Sequence, residues 1–379
     1  TRGSILSSVH SFAKSLVGPL YLGFLVVVLI TGFGLIALRS WRLRSEGRFD
    51  SALSREAAFL GNNVILVAVT LVVLIGTIFP LAVEAITGRQ VTVGGPYFRA
   101  TTGPLILLLL LFMGVGPLVS WRRSSPEEAR RRLALPAGTG AVVIVVMAAA
   151  GVRDVAAVAA FGLAAFVLVA NAEEIVRGIR AYARATGRSV VRSAPAVVSR
   201  NRRLYGGLIA HVGIGVAAIA ITASTAFASR VEVTLADGQR TTFAGYQLTY
   251  QGVRIEHQPQ RDVFVADLTV ARDGRALAGL TPSLNRYPSS VDPIGTPSIH
   301  YGVFKDLYSS VIGFDASGRA TFRFFLNPGV MWLWVGGFVV AIGGLVALWP
   351  SRSRAQLLPQ APPSAAVSAE SARKPVTAG

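Results

Sequence analysis

The stretch LYGGLIAHVGIGVAAIAITASTAFAS, residues 204–229, decides the fold class. It contains no Asp, Glu, Lys or Arg. A helix needs about 20 consecutive apolar residues to cross a bilayer, so this stretch predicts a transmembrane helix. His211 lies about two turns inside it. An ionisable side chain at that depth is costly and usually serves a function.

Six further apolar stretches flank it along the chain. They cover about Leu16–Leu38, Asn62–Val83, Pro104–Trp121, Ala137–Val152, Val155–Ala172 and Gly329–Trp349. We therefore predict a membrane all-α fold of about seven transmembrane helices, with six in a bundle over residues 16–229 and the last at 329–349. The fourth and fifth stretches are shorter than the others and only Arg153 and Asp154 separate them, so a shallow or re-entrant hairpin is the alternative there.

The composition agrees with a membrane protein and excludes several function classes. Of the 379 residues, 52% are hydrophobic and 15% are charged, and the mean hydropathy is +0.54. The absence of Cys excludes a disulfide scaffold, a thiolate metal site, a Cys nucleophile and a covalently attached c-type haem. The sequence has no P-loop, G-x-S-x-G or H-E-x-x-H motif, which disfavours an ATP-driven pump or an ordinary hydrolase.

The net charge of +18 is a topology signal. Of the 37 Lys and Arg residues, 22 fall in the segments that follow the first, third, fifth and seventh apolar stretches. Lys and Arg accumulate in cytoplasmic loops. Seven alternating spans then place residues 1–15, 87–103 and 230–327 on the periplasmic side of a bacterial inner membrane. The expected surroundings are membrane lipid, and no nucleic-acid partner is expected because no nucleic-acid motif accompanies the charge.

Residues 230–327 show the pattern of strands. Apolar and polar residues alternate from Val231 to Leu235, apolar residues recur at every second position in Phe322, Phe324 and Leu326, and Asp273-Gly274 marks a turn. The pattern predicts one small inserted antiparallel β domain, a sandwich or a barrel. Its Pro-rich part, residues 281–296, is predicted to be irregular. The Pro-, Ala- and Ser-rich tail, residues 350–379, is predicted to be disordered in the cytoplasm.

The residues around His211 allow two interpretations. A neutral imidazole can ligate haem iron, and small neighbours would let a flat macrocycle approach the helix. The same imidazole can hydrogen-bond a neighbouring helix, and small residues also favour close helix packing. The small neighbours are Gly206, Gly207, Ala210, Gly213 and Gly215. On the residues alone, the structural interpretation is the more common of the two.

The other candidate residues give weaker signals. His10 lies just before the first apolar stretch, where a histidine is normally solvated. Arg99 follows the aromatic turn Gly94–Phe98, and it could either clasp a haem propionate or extend its charged end to water. His257 and His300 are expected on the surface of the β domain.

Several motifs, in order along the chain, resemble one family. They are Thr1-Arg2-Gly3-Ser4, Val9-His10-Ser11-Phe12-Ala13, Phe59-Leu60-Gly61-Asn62-Asn63, Gly95-Pro96-Tyr97-Phe98, Met113-Gly114-Val115-Gly116-Pro117-Leu118, Ala210-His211-Val212-Gly213, Asp306-Leu307-Tyr308 and Trp332-Leu333-Trp334-Val335-Gly336-Gly337. Together they are similar to the C-terminal half of the CcmF family, the haem lyase of the bacterial cytochrome c maturation system. The family's tryptophan-rich W-W-D segment has no counterpart in this sequence.

The resemblance implies a haem-binding membrane subunit of a haem lyase, which ligates haem to the C-x-x-C-H motif of apocytochrome c. It implies a periplasmic substrate haem with His10 as one axial ligand, and a haem b inside the membrane with His211 as one axial ligand. The other ligand of each pair is expected in the N-terminal half, either of the same protein or as a separate subunit. The implied partners are the haem chaperone CcmE and the apocytochrome-presenting proteins CcmH and CcmI.

Two other functions are possible. A transporter of haem or of another small solute would need ionisable residues that face each other at mid-bilayer, and the apolar stretches hold almost none apart from His211. A membrane scaffold without a cofactor would show no Soret band, even together with its N-terminal half.

Overall fold

The structure is a computed structural model that describes residues 17–43, 54–89, 91–119, 125–288 and 292–349. The predicted periplasmic segment 1–15, which holds His10, and the predicted disordered tail 350–379 lie outside the described residues. The described part forms eight α-helices and a β domain of ten strands, which is inserted between the seventh and eighth helices.

Within the described residues, seven helices are long and apolar enough to cross a membrane. They are α1 (Val17–Arg39), α2 (Arg55–Thr87), α3 (Gly95–Val115), α4 (Pro126–Ala149), α5 (Val155–Thr186), α7 (Arg202–Ala226) and α8 (Val330–Leu348). The short amphipathic helix α6 (Val190–Arg200) connects α5 to α7. The predicted fold class, membrane all-α helices with one inserted antiparallel β domain, is confirmed.

The fourth and fifth helices extend well beyond their apolar stretches. α4 has 24 residues, and Ser125 caps it by accepting a hydrogen bond from the backbone N–H of Glu128. α5 has 32 residues, and Asp154 caps it by accepting hydrogen bonds from two backbone N–H groups of its first turn. The Ser125 cap allows α4 to begin before its apolar part, and α5 continues past its apolar stretch to Thr186. Both helices therefore have the length of a full crossing, which disfavours the re-entrant hairpin.

The second and third helices also begin earlier than their apolar stretches. α2 begins at Arg55 because Ser54 caps it, accepting a hydrogen bond from the backbone N–H of Ala57 at 3.1 Å. α3 begins at Gly95, with Pro96 in its first turn, where a missing N–H costs nothing. Arg99 therefore lies on a helix and not in the loop where the sequence placed it.

The β domain consists of two antiparallel sheets. One sheet has the strand order β1-β10-β9-β8, formed by β1 (Ser229–Leu235), β10 (Ala320–Pro328), β9 (Lys305–Phe314) and β8 (Ser298–His300). The other has the order β2-β3-β4-β6-β7, formed by β2 (Arg240–Phe243), β3 (Tyr246–Gln258), β4 (Arg261–Arg272), β6 (Ser283–Arg286) and β7 (Ile294–Thr296), and β5 (Arg275–Leu280) pairs with β4. Side chains of both sheets, including Tyr250 and Phe322, meet in one buried core.

Turn residues determine the hairpins of this domain. Asp273 and Gly274 close the β4–β5 hairpin with φ angles of 50° and 75°, and two left-handed residues are what a type I′ turn requires. The prediction that residues 281–296 are irregular is wrong in part, because β6 and β7 lie within them. Their pairing is supported by Asn285, whose amide donates to the carbonyl oxygen of Ile294 at 3.0 Å.

Glycines allow α7 and α8 to pack backbone against backbone. A methyl group on Gly206 would lie 2.6 Å from the carbonyl oxygen of Gly343, and one on Gly213 would lie 2.6 Å from that of Gly336. The spacing of seven residues on both helices is close to two turns, so the same contact repeats along the pair. This helix pair supports the β domain, because α7 leads into β1 and β10 leads into α8.

We expect Gly343→Ala to destabilise the protein and Gly344→Ala to leave it unchanged. The new methyl group at Gly343 would lie 2.5 Å from the backbone nitrogen of Ala210, whereas one at Gly344 would meet no described atom within 4 Å. Overpacking of this kind costs about 1–3 kcal/mol. Thermal unfolding of both variants in the same detergent measures the difference, and equal melting temperatures would contradict this account of the α7–α8 contact.

Candidate functional site

His211 occupies the tenth position of α7 and faces α5. The helix starts at a polar end, where the Asn201 side chain caps it by accepting a hydrogen bond from the backbone N–H of Leu204 at 3.4 Å. The helix is then apolar up to the half-buried imidazole of His211. α5 is the most buried of the candidate spans, so the imidazole projects toward the interior of the bundle.

The Asn171 side chain on α5 determines which nitrogen of His211 carries the proton. Asn171 is 0% exposed, and its Nδ2 donates a hydrogen bond to the carbonyl oxygen of Val167 at 2.8 Å. Its Oδ1 then faces Nδ1 of His211 at 3.2 Å. Because an amide oxygen can only accept, Nδ1 of His211 donates and Nε2 keeps its lone pair. This is the neutral tautomer that binds metals through Nε2.

The two ring nitrogens of His211 bear differently on its two interpretations. The hydrogen bond to Asn171 gives Nδ1 the structural partner that a buried histidine needs. Nε2, on the far edge of the ring, makes no hydrogen bond to any residue in the described part of the chain. The structural interpretation therefore explains Nδ1, and it gives Nε2 no partner among the described residues.

The small residues near His211 have different roles. Gly206 and Gly213 contact α8, and a methyl group on Gly215 would lie 2.9 Å from the Leu168 side chain of α5. Gly207, one turn before His211 on the same face of α7, is different, because a methyl group there would meet no described atom within 4 Å. Helical side chains lean toward the N-terminus of the helix, so the His211 side chain is directed toward the turn of α7 that contains Gly207.

An ion-pair cluster follows Asn171 on α5. Arg177 contacts Glu173 at 2.8 Å and Glu174 at 3.1 Å. All three charges belong to one helix and neutralise one another in part, so they do not form a set of ionisable residues facing each other across the bundle. They also show that the segment after Ala172 continues α5 up to Thr186.

The structure places the other candidate residues away from His211. Arg99 is exposed in the first two turns of α3, and no hydrogen bond or ion pair joins it to His211 among the described residues. His257 lies near the tip of the β3–β4 hairpin, where Nδ1 contacts the Asp262 carboxylate at 2.8 Å, and His300 ends β8. His10 lies outside the described residues.

Among the described residues, His211 could supply at most one of the protein ligands of a metal site. No group of three or more His, Cys, Asp and Glu side chains that could hold a metal ion occurs in the described ranges. A lone imidazole with a fixed tautomer does fit haem, because the porphyrin supplies four ligands and the protein has to add only axial ones. The space over Gly207 agrees with a flat group on this side of α7.

Comparison with known proteins relates this geometry to a family. Residues 226–328 match the family described as the CcmF C-terminal beta-sandwich. The match coincides with the β domain that α7 and α8 support.

The chain matches the C-terminal part of the CcmF family.

The similarity extends through the helices. The chain is 29% identical to the cytochrome c-type biogenesis protein CcmF of Pseudomonas fluorescens over 358 residues, which is 94% of this chain and 53% of that relative. It is 30% identical to CcmF of Escherichia coli K12 over 361 residues, 95% of this chain and 54% of that relative. The solved structure of a cytochrome c haem lyase CcmF superimposes with a TM-score of 0.70 at 28% identity, covering 89% of this chain and 51% of that one.

The chain therefore spans about half the length of the CcmF relatives that it matches. Seven of its described helices are long and apolar enough to cross a membrane, and the relatives that it matches are named for cytochrome c biogenesis. The transporter alternative is not favoured by these relatives.

We expect the His211–Asn171 hydrogen bond to appear as a coupling energy in a double-mutant cycle of His211→Ala and Asn171→Ala. Hydrogen bonds between membrane helices contribute about 0.6 kcal/mol on average, and each single change also leaves the other side chain of the pair without its partner, which adds to the cost. Unfolding of the four proteins in mixed detergent micelles gives the coupling. Strictly additive effects would show that the two side chains do not interact.

Proposed function

We propose that this chain is the haem-binding membrane part of a haem lyase, the component of cytochrome c maturation that ligates haem to the C-x-x-C-H motif of apocytochrome c. The observation that carries the proposal is the imidazole of His211, which Asn171 fixes in a metal-binding tautomer inside a helix bundle. The similarity to proteins named for cytochrome c biogenesis and haem lyase supports haem as the group bound.

His211 is proposed as one of two axial ligands of a haem b in the membrane. Asn171 holds the ring through Nδ1, which fixes its orientation and increases the basicity of Nε2. Bound haem supplies an iron that accepts and donates single electrons. The other described histidines, His257 and His300, lie in the β domain, so the second ligand would come from the part of the longer relatives that this chain does not match.

His10 is proposed as one axial ligand of a second, substrate haem at the periplasmic face. The resemblance of the motif around His10 supports this site. The distribution of Lys and Arg supports it as well, because residues 1–15 and the β domain are then expected outside the cell and the tail inside. The exposed guanidinium of Arg99 is proposed as a haem propionate contact, because a planar fork of donors matches a carboxylate.

The partners proposed for this site follow from the absence of Cys in the chain and from the family resemblance. The chain has no Cys, so both thiols that react with the haem vinyl groups come from apocytochrome c. CcmE is proposed to deliver haem, and CcmH with CcmI to present the apocytochrome. The β domain is the proposed docking surface, because it is the largest described part outside the helices.

We expect His211→Ala to remove the Soret absorbance of the membrane haem while the protein accumulates normally. The experiment uses the chain produced with its N-terminal half, and His300→Ala is the matched control because it removes an imidazole from the β domain instead. Visible spectra of both purified proteins, normalised to protein, give the result. Undiminished membrane haem in His211→Ala would remove this residue from the site.

We expect His10→Ala to abolish cytochrome c assembly in cells and added imidazole to restore part of it. Free imidazole can replace a missing axial ligand at an accessible haem but does not repair a folding defect. Haem staining of mature cytochrome c gives the yield, with His257→Ala as the control. Normal yield in His10→Ala would exclude the residue, and lost yield without imidazole rescue would assign it a structural role.

A further inference from the structure

The end of the bundle where α7 begins and α8 ends carries an apolar groove of about 430 Å³. Its walls come from α6, the start of α7 and the last two turns of α8. The residues that line it are Pro195, Val198, Ser199, Arg202, Ile342, Leu345, Val346 and Trp349. Apart from Ser199 and Arg202 the lining is hydrocarbon, so the groove suits a hydrocarbon chain and not a hydrated group.

A basic cleft of about 390 Å³ continues from this groove. The cleft shares Ser199, Arg202 and Trp349 with the groove and adds two more guanidinium groups, those of Arg200 and Arg203. No Asp or Glu belongs to the described lining of either space. The cleft therefore concentrates positive charge directly beside the apolar groove.

The depth of the two spaces matches the two parts of a phospholipid. Trp349 ends α8 with its indole 66% exposed, and Trp at a helix end marks the boundary between acyl chains and headgroups. The α8 residues of the groove precede Trp349 along the helix, whereas Arg200 and Arg203 line only the cleft. Basic pockets between membrane helices bind anionic lipid headgroups.

We propose that this groove and cleft form a binding site for one anionic phospholipid, with an acyl chain between α6 and α8 and the phosphate on Arg200 and Arg203. Charge complementarity favours an anionic over a zwitterionic lipid, and the apolar groove favours a lipid over free phosphate, which would leave the groove empty. The bound lipid would hold α6 against the helix pair that supports the β domain.

A neighbouring basic surface provides the control. Arg184 and Arg188 line another depression of the same Arg-rich segment, together with Arg180, but no residue of α8 belongs to the described lining of that depression. Replacing two arginines there removes the same charge from the same end of the protein. Arg202 is left unchanged in all variants because it makes other contacts within the protein.

The test counts lipids bound to the purified full chain by native mass spectrometry during titration with phosphatidylglycerol. We expect one retained phosphatidylglycerol, at least about tenfold weaker binding in the double variant R200Q/R203Q, and near-normal binding in R184Q/R188Q. A Val346→Trp variant, which fills the groove and keeps every arginine, is expected to weaken lipid binding as well. Melting temperatures without lipid show that each variant is folded.

Three results would overturn the proposal. Equal weakening in R200Q/R203Q and R184Q/R188Q would indicate general surface charge, and equal affinity for phosphatidylcholine would show that the arginines do not select the headgroup. Displacement of the lipid by millimolar inorganic phosphate would indicate a site for free phosphate. If Val346→Trp does not fold, the R200Q/R203Q comparison and the phosphatidylcholine titration still decide the matter.

Discussion

The hydrogen bond between Asn171 and His211 is the contact on which the functional account depends. Two polar side chains inside an apolar bundle are tolerated only when they satisfy each other. Here the amide of Asn171 is itself oriented by its bond to Val167, so the donor and acceptor roles in the pair follow from geometry. The consequence is an imidazole with one nitrogen used for structure and the other available to a metal.

The glycines of α7 and α8 determine which sides of the helix that carries His211 pack against its neighbours. α7 packs closely against α8 at Gly206 and Gly213, and it packs against α5 at Gly215. The face that holds Gly207 is left open within the described chain. The same helix pair continues into the β domain, where the backbone N–H of Gly329 donates to the carbonyl oxygen of Phe304 at 2.9 Å. The helix that carries His211 is thus joined directly to the β domain, because α7 runs into β1 and β10 runs into α8.

The sequence predicts the architecture well because each signal is local. The lengths of the apolar stretches predict the helices, and turn residues such as Asp273-Gly274 predict the hairpins. It fails where a helix extends beyond its apolar stretch, as at the start of α4, which Ser125 caps, and at the end of α5, which continues to Thr186. It also fails to identify Asn171, which lies one residue before the end of a predicted span and so resembles an ordinary helix-end residue. Only the rotation of α5 against α7, a tertiary property, brings that amide to His211.

The measurement that tests the central claim most directly is a cryo-electron microscopy map of the chain together with its N-terminal half, purified with its native haem. The account predicts a porphyrin beside Gly207, with Nε2 of His211 coordinated to its iron and Nδ1 still bonded to Asn171. A map in which the membrane haem is ligated by other residues, or in which Nε2 of His211 is bonded to a polar side chain, would contradict it.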